Sequence, residues 1–238
     1  MKDATRTRSF ESKRRVVALA VDLDRTLLPP GRRVGRPAAE LLAEVRRMGL
    51  RVVLVSGREH AVLSNFSDGL HHVDALVAEN GAVVESPLGG PVRVVGRAMA
   101  GQVRRRLAAA RLGGIESGEI VVSLPIAARP KVEAILAGLR VELVPNVDRL
   151  MVLPAGISKA TGMRLALRGL RLANRAFAAI GDAENDLPLL REAELSGAVG
   201  NAVPQVRRTV DYVARGSYGA GVREFVRGPL SERLGERR

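Results

Sequence analysis

Short apolar runs separated by helix-length amphipathic stretches are the feature of this 238-residue chain that most limits its fold. Residues 16–21, 51–55, 75–78 and 176–180 are mostly apolar and have the length of buried strands. Consecutive parallel strands need a connection long enough to cross the sheet, and a helix supplies it. The alternation therefore predicts an α/β fold with a parallel sheet, and 46% apolar residues suffice for one core plus a smaller module.

The same patterns divide the chain into parts. Helices are predicted at 37–48, 158–170, 186–193 and 219–227, with further short strands at 196–199 and 212–213. Between residues 84 and 154 the alternation of strands and helices changes. Helices are predicted at 97–111 and 129–138, and short strands near 119–124, 140–144 and 148–153. The predicted organisation is a basic extension at 1–14, a core at 15–83 and 155–230, an inserted α+β module at 84–154, and a charged tail from 231 to 238.

Composition excludes several classes of protein. The chain has no cysteine, which excludes disulfides, thiolate metal sites and a cysteine nucleophile. No apolar run approaches the roughly 20 residues that span a bilayer, and the basic N-terminus lacks a following cleavable hydrophobic region. We expect a soluble, cytoplasmic protein with no membrane partner.

The net charge of +13 is the strongest deviation from an average composition. Basic proteins often bind nucleic acids or small anions. Here the charge is spread along the chain, only four Phe and two Tyr are available for stacking on bases, and no nucleic-acid-binding module is recognisable. Nucleic acid is therefore an unlikely partner, whereas attraction of small anions stays open.

Polar side chains follow three of the predicted strands. Asp22 and Asp24 follow the first, Ser56 the second and Asp182 a later one, while Lys159 opens a helix. The first segment alone could be an ordinary polar turn. However, open parallel sheets bind ligands at the carboxyl ends of their strands, and buried carboxylates cost roughly several kcal/mol without a cation or partner. Carboxylates, a hydroxyl, a lysine and a metal ion together suit a phosphate group.

Four motifs carry a resemblance to a known family. Asp-Leu-Asp-Arg-Thr at 22–26, Ser-Gly-Arg at 56–58, Lys159 and Gly-Asp-Ala-Glu-Asn-Asp at 181–186 resemble, in order, the four motifs of haloacid dehalogenase (HAD) superfamily phosphatases. The resemblance covers residues 16–227 and implies a Rossmann-like core with a compact α+β cap. The size of the insertion and residues 218–222 are most similar to archaeal-type phosphoglycolate phosphatases.

The resemblance implies a two-step phosphoryl transfer. Asp22 would be the nucleophile and would form an aspartyl phosphate. Asp24 would first protonate the leaving oxygen and then activate water. Mg²⁺ would be held by Asp22, by the main-chain carbonyl of Asp24 and by Asp182, and would offset the repulsion between carboxylate and phosphate.

The other motif residues would support this chemistry. Ser56 and Lys159 are implied to bind the phosphoryl group. The expected supporting residues are Thr26, Asn185 and Asp186. Asp186 could anchor Lys159 or a metal-bound water, and both Asn185 and Asp186 could equally cap a helix N-terminus.

Three positions leave alternatives open. Arg25 replaces the glycine usual in the family, so its side chain either extends into solvent or adds a positive group at the pocket mouth. Arg58 and Asn80 could contact the substrate, or Arg58 could pair with a surface acid.

The resemblance implies 2-phosphoglycolate as the leading substrate, hydrolysed to glycolate and phosphate. We expect a monomer or homodimer. A sugar-phosphate or other small-metabolite phosphatase of the same cap type is the alternative. A phosphomutase and a basic nucleic-acid-binding protein are less favoured. A small acidic substrate requires a cationic wall, for which Arg129, Lys131 and Arg149 are available.

Overall fold

The computed structural model describes residues 14–66 and 70–235, so the predicted extension at 1–14 lies almost wholly outside the described residues. The strands are β1 Val16–Asp22, β2 Arg51–Val55, β3 Ala75–Ala78, β4 Val83–Glu85, β5 Val92–Val94, β6 Glu116–Ser117, β7 Val122–Pro125, β8 Val141–Asn146, β9 Arg149–Pro154, β10 Ala176–Gly181, β11 Leu195–Ala198 and β12 Tyr212–Val213. The α-helices are α1 Arg36–Arg47, α2 His60–Ser64, α3 Arg97–Ala109, α4 Arg129–Ile135, α5 Lys159–Gly169, α6 Leu187–Glu192, α7 Pro204–Arg207, α8 Tyr218–Phe225 and α9 Ser231–Gly235.

The larger sheet has eight strands in the order β12-β11-β10-β1-β2-β3-β4-β5. The pairs from β12 to β3 are parallel, whereas β4 and β5 are added antiparallel at one edge. In this register Asp22 pairs with Val55, and Val21 pairs with Ile180 on the other side. The predicted α/β fold is confirmed, and β1 lies in the interior of the sheet with its carboxyl end between those of β2 and β10.

Helix α1 shows how local sequence determines these elements. Pro37 occupies the first turn, where its missing N–H has no helical partner to lose. Leu41, Leu42 and Val45 form the buried stripe against the sheet. Gly49, with φ of 83°, follows the end of the helix in the left-handed region. The helix predicted at 37–48 is therefore present within one residue at each end.

A smaller antiparallel sheet, in the order β6-β7-β9-β8, lies between the two halves of the larger one in sequence. Together with α3 and α4 it encloses its own apolar cluster, which includes Leu107, Leu124, Val132 and Leu150. We call β6 to β9 with α3 and α4 the cap layer. Where one strand near 119–124 is predicted, the chain instead forms β6 and β7, which pair with each other.

The predicted domain boundary at residue 84 falls inside β4, which belongs to the larger sheet. Val83 and Val84 are both 1% exposed and pair with β3, and Arg93 of β5 pairs with Val84. The glycines at 89 and 90 lie in the connection between two sheet strands and do not begin a new unit. We propose that the cap begins after β5, and the division into core and cap domains stays a prediction.

The predicted charged tail is wrong at its start. Ser231–Gly235 forms α9, and Arg233, with its side chain 8% exposed, makes an ion pair with Glu194 at 2.8 Å. The buried Leu230 just before it joins this segment to the core. Residues 236–238 lie outside the described part. None of the helices described in 14–66 and 70–235 has the length and apolarity needed to cross a membrane.

Candidate active site

The carboxyl edge of the parallel strands forms one wall of a cavity of about 400 Å³. Asp22, Asp182 and Lys159 line it from the side of the larger sheet, while Ser123 and Arg149 line it from the cap layer. Because β1, β2 and β10 are parallel neighbours, their ends deliver polar groups to the same place. The structure thus brings together groups that are up to 160 residues apart in sequence, from Asp22 to Asp182.

Lys159 lies between two buried carboxylates. Its Nζ donates to Asp22 Oδ1 at 2.6 Å and to Asp186 Oδ1 at 2.6 Å, and its side chain is 1% exposed. Burial acts to lower the pKa of Lys159, but the charges of Asp186 and Asp22 outweigh it, so the pKa lies above its usual value. Burial and the charge of Asp186 raise the pKa of Asp22 well above its usual value, against the opposing effect of Lys159. Lys159 therefore stays protonated and positively charged.

Local sequence fixes the position of Lys159 at the start of α5. Ser158 caps the helix: its Oγ accepts from the Thr161 N–H, and its own N–H donates to Thr161 Oγ1 at 2.9 Å. Gly81 has a φ of 99°, and a Cβ there would come within 2.1 Å of the Ser158 carbonyl oxygen. A Cβ on Gly162 would come within 2.6 Å of the Gly81 Cα. The two glycines let α5 approach the end of β3 closely.

Asp182 follows β10 and accepts two side-chain hydrogen bonds. Thr26 Oγ1 donates to its Oδ1 at 2.9 Å, and Arg25 Nε donates to its Oδ2 at 3.0 Å. Burial, followed by the charge of Asp186, raises the pKa of Asp182 to about 6, against the lowering effect of these two hydrogen bonds. The interpretation of Arg25 as a side chain extended into solvent is wrong, because its φ of 62° turns the chain so that the guanidinium reaches Asp182.

Asp186 connects the lysine to the turn after β10. Its Oδ2 accepts the Asp182 N–H at 3.0 Å and the Ala183 N–H at 3.1 Å, while its Oδ1 accepts from Lys159. Both alternatives for Asp186, an anchor for Lys159 and an N-terminal cap, are therefore present together. The bond to Lys159 orients the lysine, and the bonds from the two backbone N–H groups orient the turn after β10.

Asp24 lies apart from the buried carboxylates. Its side chain is 38% exposed and accepts from Arg58 Nε at 2.8 Å and from Arg58 Nη2 at 2.5 Å. The Arg58 guanidinium also lies over the Phe66 ring, 5.4 Å from its centroid. Of the alternatives for Arg58, the structure shows pairing with an acid. That acid is Asp24, the proposed proton donor, and not a remote surface group.

Asn185 lines the cavity, whereas Ser56 and Asn80 are buried behind its surface. Ser56 is buried and its Oγ accepts the Arg58 N–H at 3.1 Å. Asn185 Nδ2 donates to Asn80 Oδ1 at 2.9 Å, and Asn80 Nδ2 contacts Met151 Sδ of the cap layer at 3.0 Å. Asn185 Oδ1 is buried and has no hydrogen-bond partner among the described residues. This oxygen is a free acceptor beside the acidic groups.

The acidic group at the edge of the sheet suits a hard cation. Oxygen atoms of Asp22, Asp182 and Asp186 lie within 4.8 Å of one another, and all three residues are buried. Carboxylate oxygens are the ligands that Mg²⁺ and Ca²⁺ prefer. Burial, followed by the charge of Asp186, raises the pKa values of Asp22 and Asp182 despite the nearby cationic side chains. A divalent ion would offset the charges of these carboxylates, so the residues present fit a metal.

The cap layer contributes one of the three basic residues proposed for a cationic wall. Arg149 lines the cavity, whereas Arg129 and Lys131 do not. Arg149 Nε donates to Ser123 Oγ at 2.9 Å, and its Nη2 pairs with Glu116 at 3.1 Å. Arg129 instead pairs with Glu133 on the same helix.

The fold and site define the chain as a member of the haloacid dehalogenase-like hydrolase family, whose pattern matches residues 19–92 and 146–226. Over 220 residues it is 30% identical to the phosphoglycolate phosphatase of Methanothrix thermoacetophila, covering 89% of this chain and 96% of that protein. The phosphoglycolate phosphatase of Methanothermobacter thermautotrophicus is 28% identical over 221 residues, covering 88% and 97%.

Solved structures agree on the fold. The HAD subclass IIB sugar phosphatase BT4131 superimposes with a TM-score of 0.72 at 18% identity, covering 89% of this chain and 98% of that one. The family match over residues 19–92 and 146–226 confirms the predicted membership of the HAD superfamily. The matched family segments leave out residues 93–145, which include most of the cap layer.

Proposed function

We propose that this phosphoric monoester hydrolase uses Mg²⁺ and an aspartyl phosphate on Asp22 to convert 2-phosphoglycolate to glycolate and phosphate. One observation carries the proposal: a buried aspartate, paired with a buried lysine, lies beside a group of acidic residues at the carboxyl edge of the sheet. The full-length relatives named phosphoglycolate phosphatase support the choice of substrate.

The first step would transfer the phosphoryl group to the protein. A carboxylate oxygen of Asp22 attacks phosphorus, and the bond from phosphorus to the ester oxygen breaks. Asp24, in its protonated form, gives its proton to the departing oxygen, so glycolate leaves with a hydroxyl group. The Lys159 Nζ lies 2.6 Å from Asp22 Oδ1. Its positive charge would stabilise the negative charge that accumulates on the transferred phosphoryl group.

The second step would release phosphate and restore both carboxyl groups. Asp24, now ionised, takes a proton from a water molecule, whose oxygen attacks phosphorus and displaces the Asp22 carboxylate. Asp22, Asp182 and the main-chain carbonyl of Asp24 would hold the Mg²⁺ ion. When bound, the ion supplies positive charge that offsets the repulsion between phosphate and carboxylates.

Arg58 would have two partners in this cycle. In the structure it holds Asp24 through two hydrogen bonds. That contact occupies both oxygens of the carboxyl group that would exchange protons with the leaving group and with water. An incoming anionic substrate would compete with Asp24 for the guanidinium. Loss of this contact would then free the Asp24 oxygens for the proton transfers.

Arg149 supports a substrate with a second negative group. Its guanidinium lines the cavity from the cap layer, where the carboxylate on the carbon that bears the leaving oxygen could bind. A sugar phosphate is the second candidate, because a cavity of about 400 Å³ exceeds the needs of so small an acid and a solved structure of the same fold is a sugar phosphatase.

Phosphate release from a panel of small phosphomonoesters tests the proposal. The panel includes 2-phosphoglycolate and hexose phosphates, with Mg²⁺ or with a chelator. We expect Mg²⁺-dependent release, highest with 2-phosphoglycolate, and a fall of at least about a thousandfold in Asp22→Asn. The matched control is Asp148→Asn, an exposed aspartate outside the cavity.

The outcomes separate the candidates. A preference for hexose phosphates would replace the glycolate assignment and keep the mechanism. Release that survives Asp22→Asn would contradict the aspartyl phosphate. No release from any ester would contradict the phosphatase assignment, and transfer to a sugar hydroxyl would then be tested as the sign of a phosphomutase. A monomeric or dimeric state stays a prediction.

A further inference from the structure

We infer that Glu79 is a positioning residue that fixes one segment of the cap layer over the phosphoryl site and thereby sets which leaving groups bind. The inference rests on the proposed phosphatase function for its effect on substrates. Its structural part concerns contacts between Glu79 and residues 119–121, which lie just before β7.

The Glu79 carboxylate accepts hydrogen bonds from three successive backbone N–H groups. Its Oε1 accepts from Glu119 at 2.9 Å, and its Oε2 accepts from Ile120 at 2.8 Å and from Val121 at 2.9 Å. Glu79 is 1% exposed, and no lysine or arginine of the described residues forms an ion pair with it. Three oriented N–H groups therefore take the place of a counter-ion, and such charge-assisted bonds are about twice as strong as neutral ones.

The backbone of residues 79 and 80 is held by the turn at residues 56–58, whose Ser56 is proposed to bind phosphate. Glu79 N–H donates to the Arg58 carbonyl at 2.9 Å, and Asn80 N–H donates to the Ser56 carbonyl at 3.0 Å. Glu79 and Asn80 have φ angles of 47° and 53°, a region that L-residues other than glycine rarely adopt. Backbone in this region persists only where its surroundings impose it, and it is common at functional sites.

Gly81, the next residue, lies against the start of the helix that begins with Lys159. Gly81 approaches the Ser158 carbonyl so closely that a Cβ would lie 2.1 Å from that oxygen, and Ser158 caps the helix that begins with Lys159. Residues 79–81 therefore contact the Ser56 loop, the lysine helix and the cap layer at once. The cap segment is thus attached to the same backbone that contacts two groups proposed to bind phosphate.

Gly118 provides the space for this contact. A Cβ on Gly118 would lie 2.6 Å from Glu79 Oε2, so a side chain at position 118 would displace the carboxylate. Gly118 and Val121 line the same cavity as Asp22. The segment that Glu79 holds is therefore part of the wall that a leaving group would meet.

The cap layer also contacts the turn after β10, and this contact is weaker than the one with Glu79. The Val147 N–H donates to Glu184 Oε2 at 3.3 Å in an exposed setting, where water competes for both groups. The buried Glu79 contact, with three shorter bonds, is thus the stronger of these two.

Two substitutions break the contact from opposite sides. Glu79→Gln keeps the shape but places an NH₂ group against at least one backbone N–H in either orientation of the amide. Gly118→Ala keeps the charge and displaces the carboxylate. The matched control is Glu59→Gln, which removes a negative charge from the same cavity at an exposed residue outside the contact.

Hydrogen exchange of the full-length protein measures the structural part directly. We expect the amides of residues 119–121 to exchange about tenfold faster or more in Glu79→Gln and Gly118→Ala, since each lost bond is to a charged group. Exchange in β1 and in the Glu59→Gln variant should stay at wild-type rates. Unchanged protection of residues 119–121 in both variants would overturn the inference.

Steady-state kinetics measure the effect on substrate. For the preferred substrate we expect KM to rise about tenfold in both variants while kcat changes less than about threefold, because the contact positions the wall and does not touch the phosphoryl group. A general loss of folded protein would instead lower kcat at constant KM and overturn the positioning role. If wild-type protein releases no phosphate, the phosphatase proposal fails, and exchange alone decides whether Glu79 holds the cap segment.

Discussion

Replacing Asp182 by asparagine should stabilise the metal-free protein above about pH 6, although it takes a charged acceptor away from two hydrogen-bond donors, Thr26 and Arg25. Asp182 is 1% exposed, and its pKa is raised to about 6, first by burial and then by the charge of Asp186. The ionised carboxylate is therefore costly in the folded protein when no cation is bound. An amide of the same shape carries no such charge.

The sign and size follow from the pKa of Asp182. Between the ordinary pKa of 3.8 and about 6 the folded protein binds more protons than the unfolded one, so this residue lowers the free energy of unfolding as the pH rises. Above about pH 6 the loss is about 3 kcal/mol, at about 1.4 kcal/mol for each pH unit. The Asp182→Asn variant would lose a charged acceptor for Arg25, worth about 1 kcal/mol for a partly exposed arginine. The expected net gain is about 2 kcal/mol.

Urea unfolding with a chelator, at about pH 4.5 and about pH 7.5, measures both the gain and its disappearance at the lower pH. Added Mg²⁺ should stabilise wild-type protein at the higher pH and stabilise Asp182→Asn much less. The control is Asp74→Asn, because Asp74 is also buried but accepts from Arg51 at 2.9 Å, so its loss should destabilise the protein. A metal-free Asp182→Asn protein that is less stable than wild type at the higher pH would refute the reasoning.

Two further predictions concern the cations of the cavity. Lys159→Met leaves Asp22 and Asp186 buried without their shared partner, so the free energy of unfolding of the metal-free protein at neutral pH should fall by about 3 kcal/mol in urea titrations. A change below about 1 kcal/mol would contradict the pairing. Arg149→Gln should raise KM for 2-phosphoglycolate about tenfold in phosphate-release assays, and Arg129→Gln, outside the cavity, should not. Equal effects of both would exclude a specific role for Arg149.

The sequence was sufficient to predict the residues at the ends of the parallel strands. Asp22, Ser56 and Asp182 each follow an apolar run, and parallel pairing alone brings the ends of such runs to one edge. Lys159 was predicted from its place at a helix start in the motif order. These predictions depend on periodicity and order along the chain, which a single sequence displays.

Contacts that depend on backbone direction were not predictable in the same way. Arg25 reaches Asp182 because of a φ of 62° at residue 25, and no pattern of residue spacing predicts that angle. The bonds from residues 119–121 to Glu79 join two sheets whose relative position the sequence does not encode locally. A signal was nevertheless present, since Glu79 is an acid directly after a fully apolar strand and before Asn-Gly.

The β4–β5 extension was missed for a related reason. Gly89, Gly90 and Pro91 are typical of a linker, and β5 has only three residues, two of them exposed. A short edge strand has no apolar alternation of its own, because its place is set by pairing with β4. The helix α9 was missed because its charged residues resemble a solvated tail, although Arg233 is partnered by Glu194.

The hydrogen bond between Asp22 and Lys159 joins residues 137 positions apart, and this separation has a consequence during synthesis. The chain is made from its N-terminus, so β1 and β2 leave the ribosome long before β10, the strand that pairs with β1 on its other side. Contacts within the cap layer are closer in sequence and form with less loop entropy. A nascent chain that ends before Lys159 and Asp182 therefore carries the proposed nucleophile without its cation or its neighbouring acid, and gains activity only when the last third of the protein is complete.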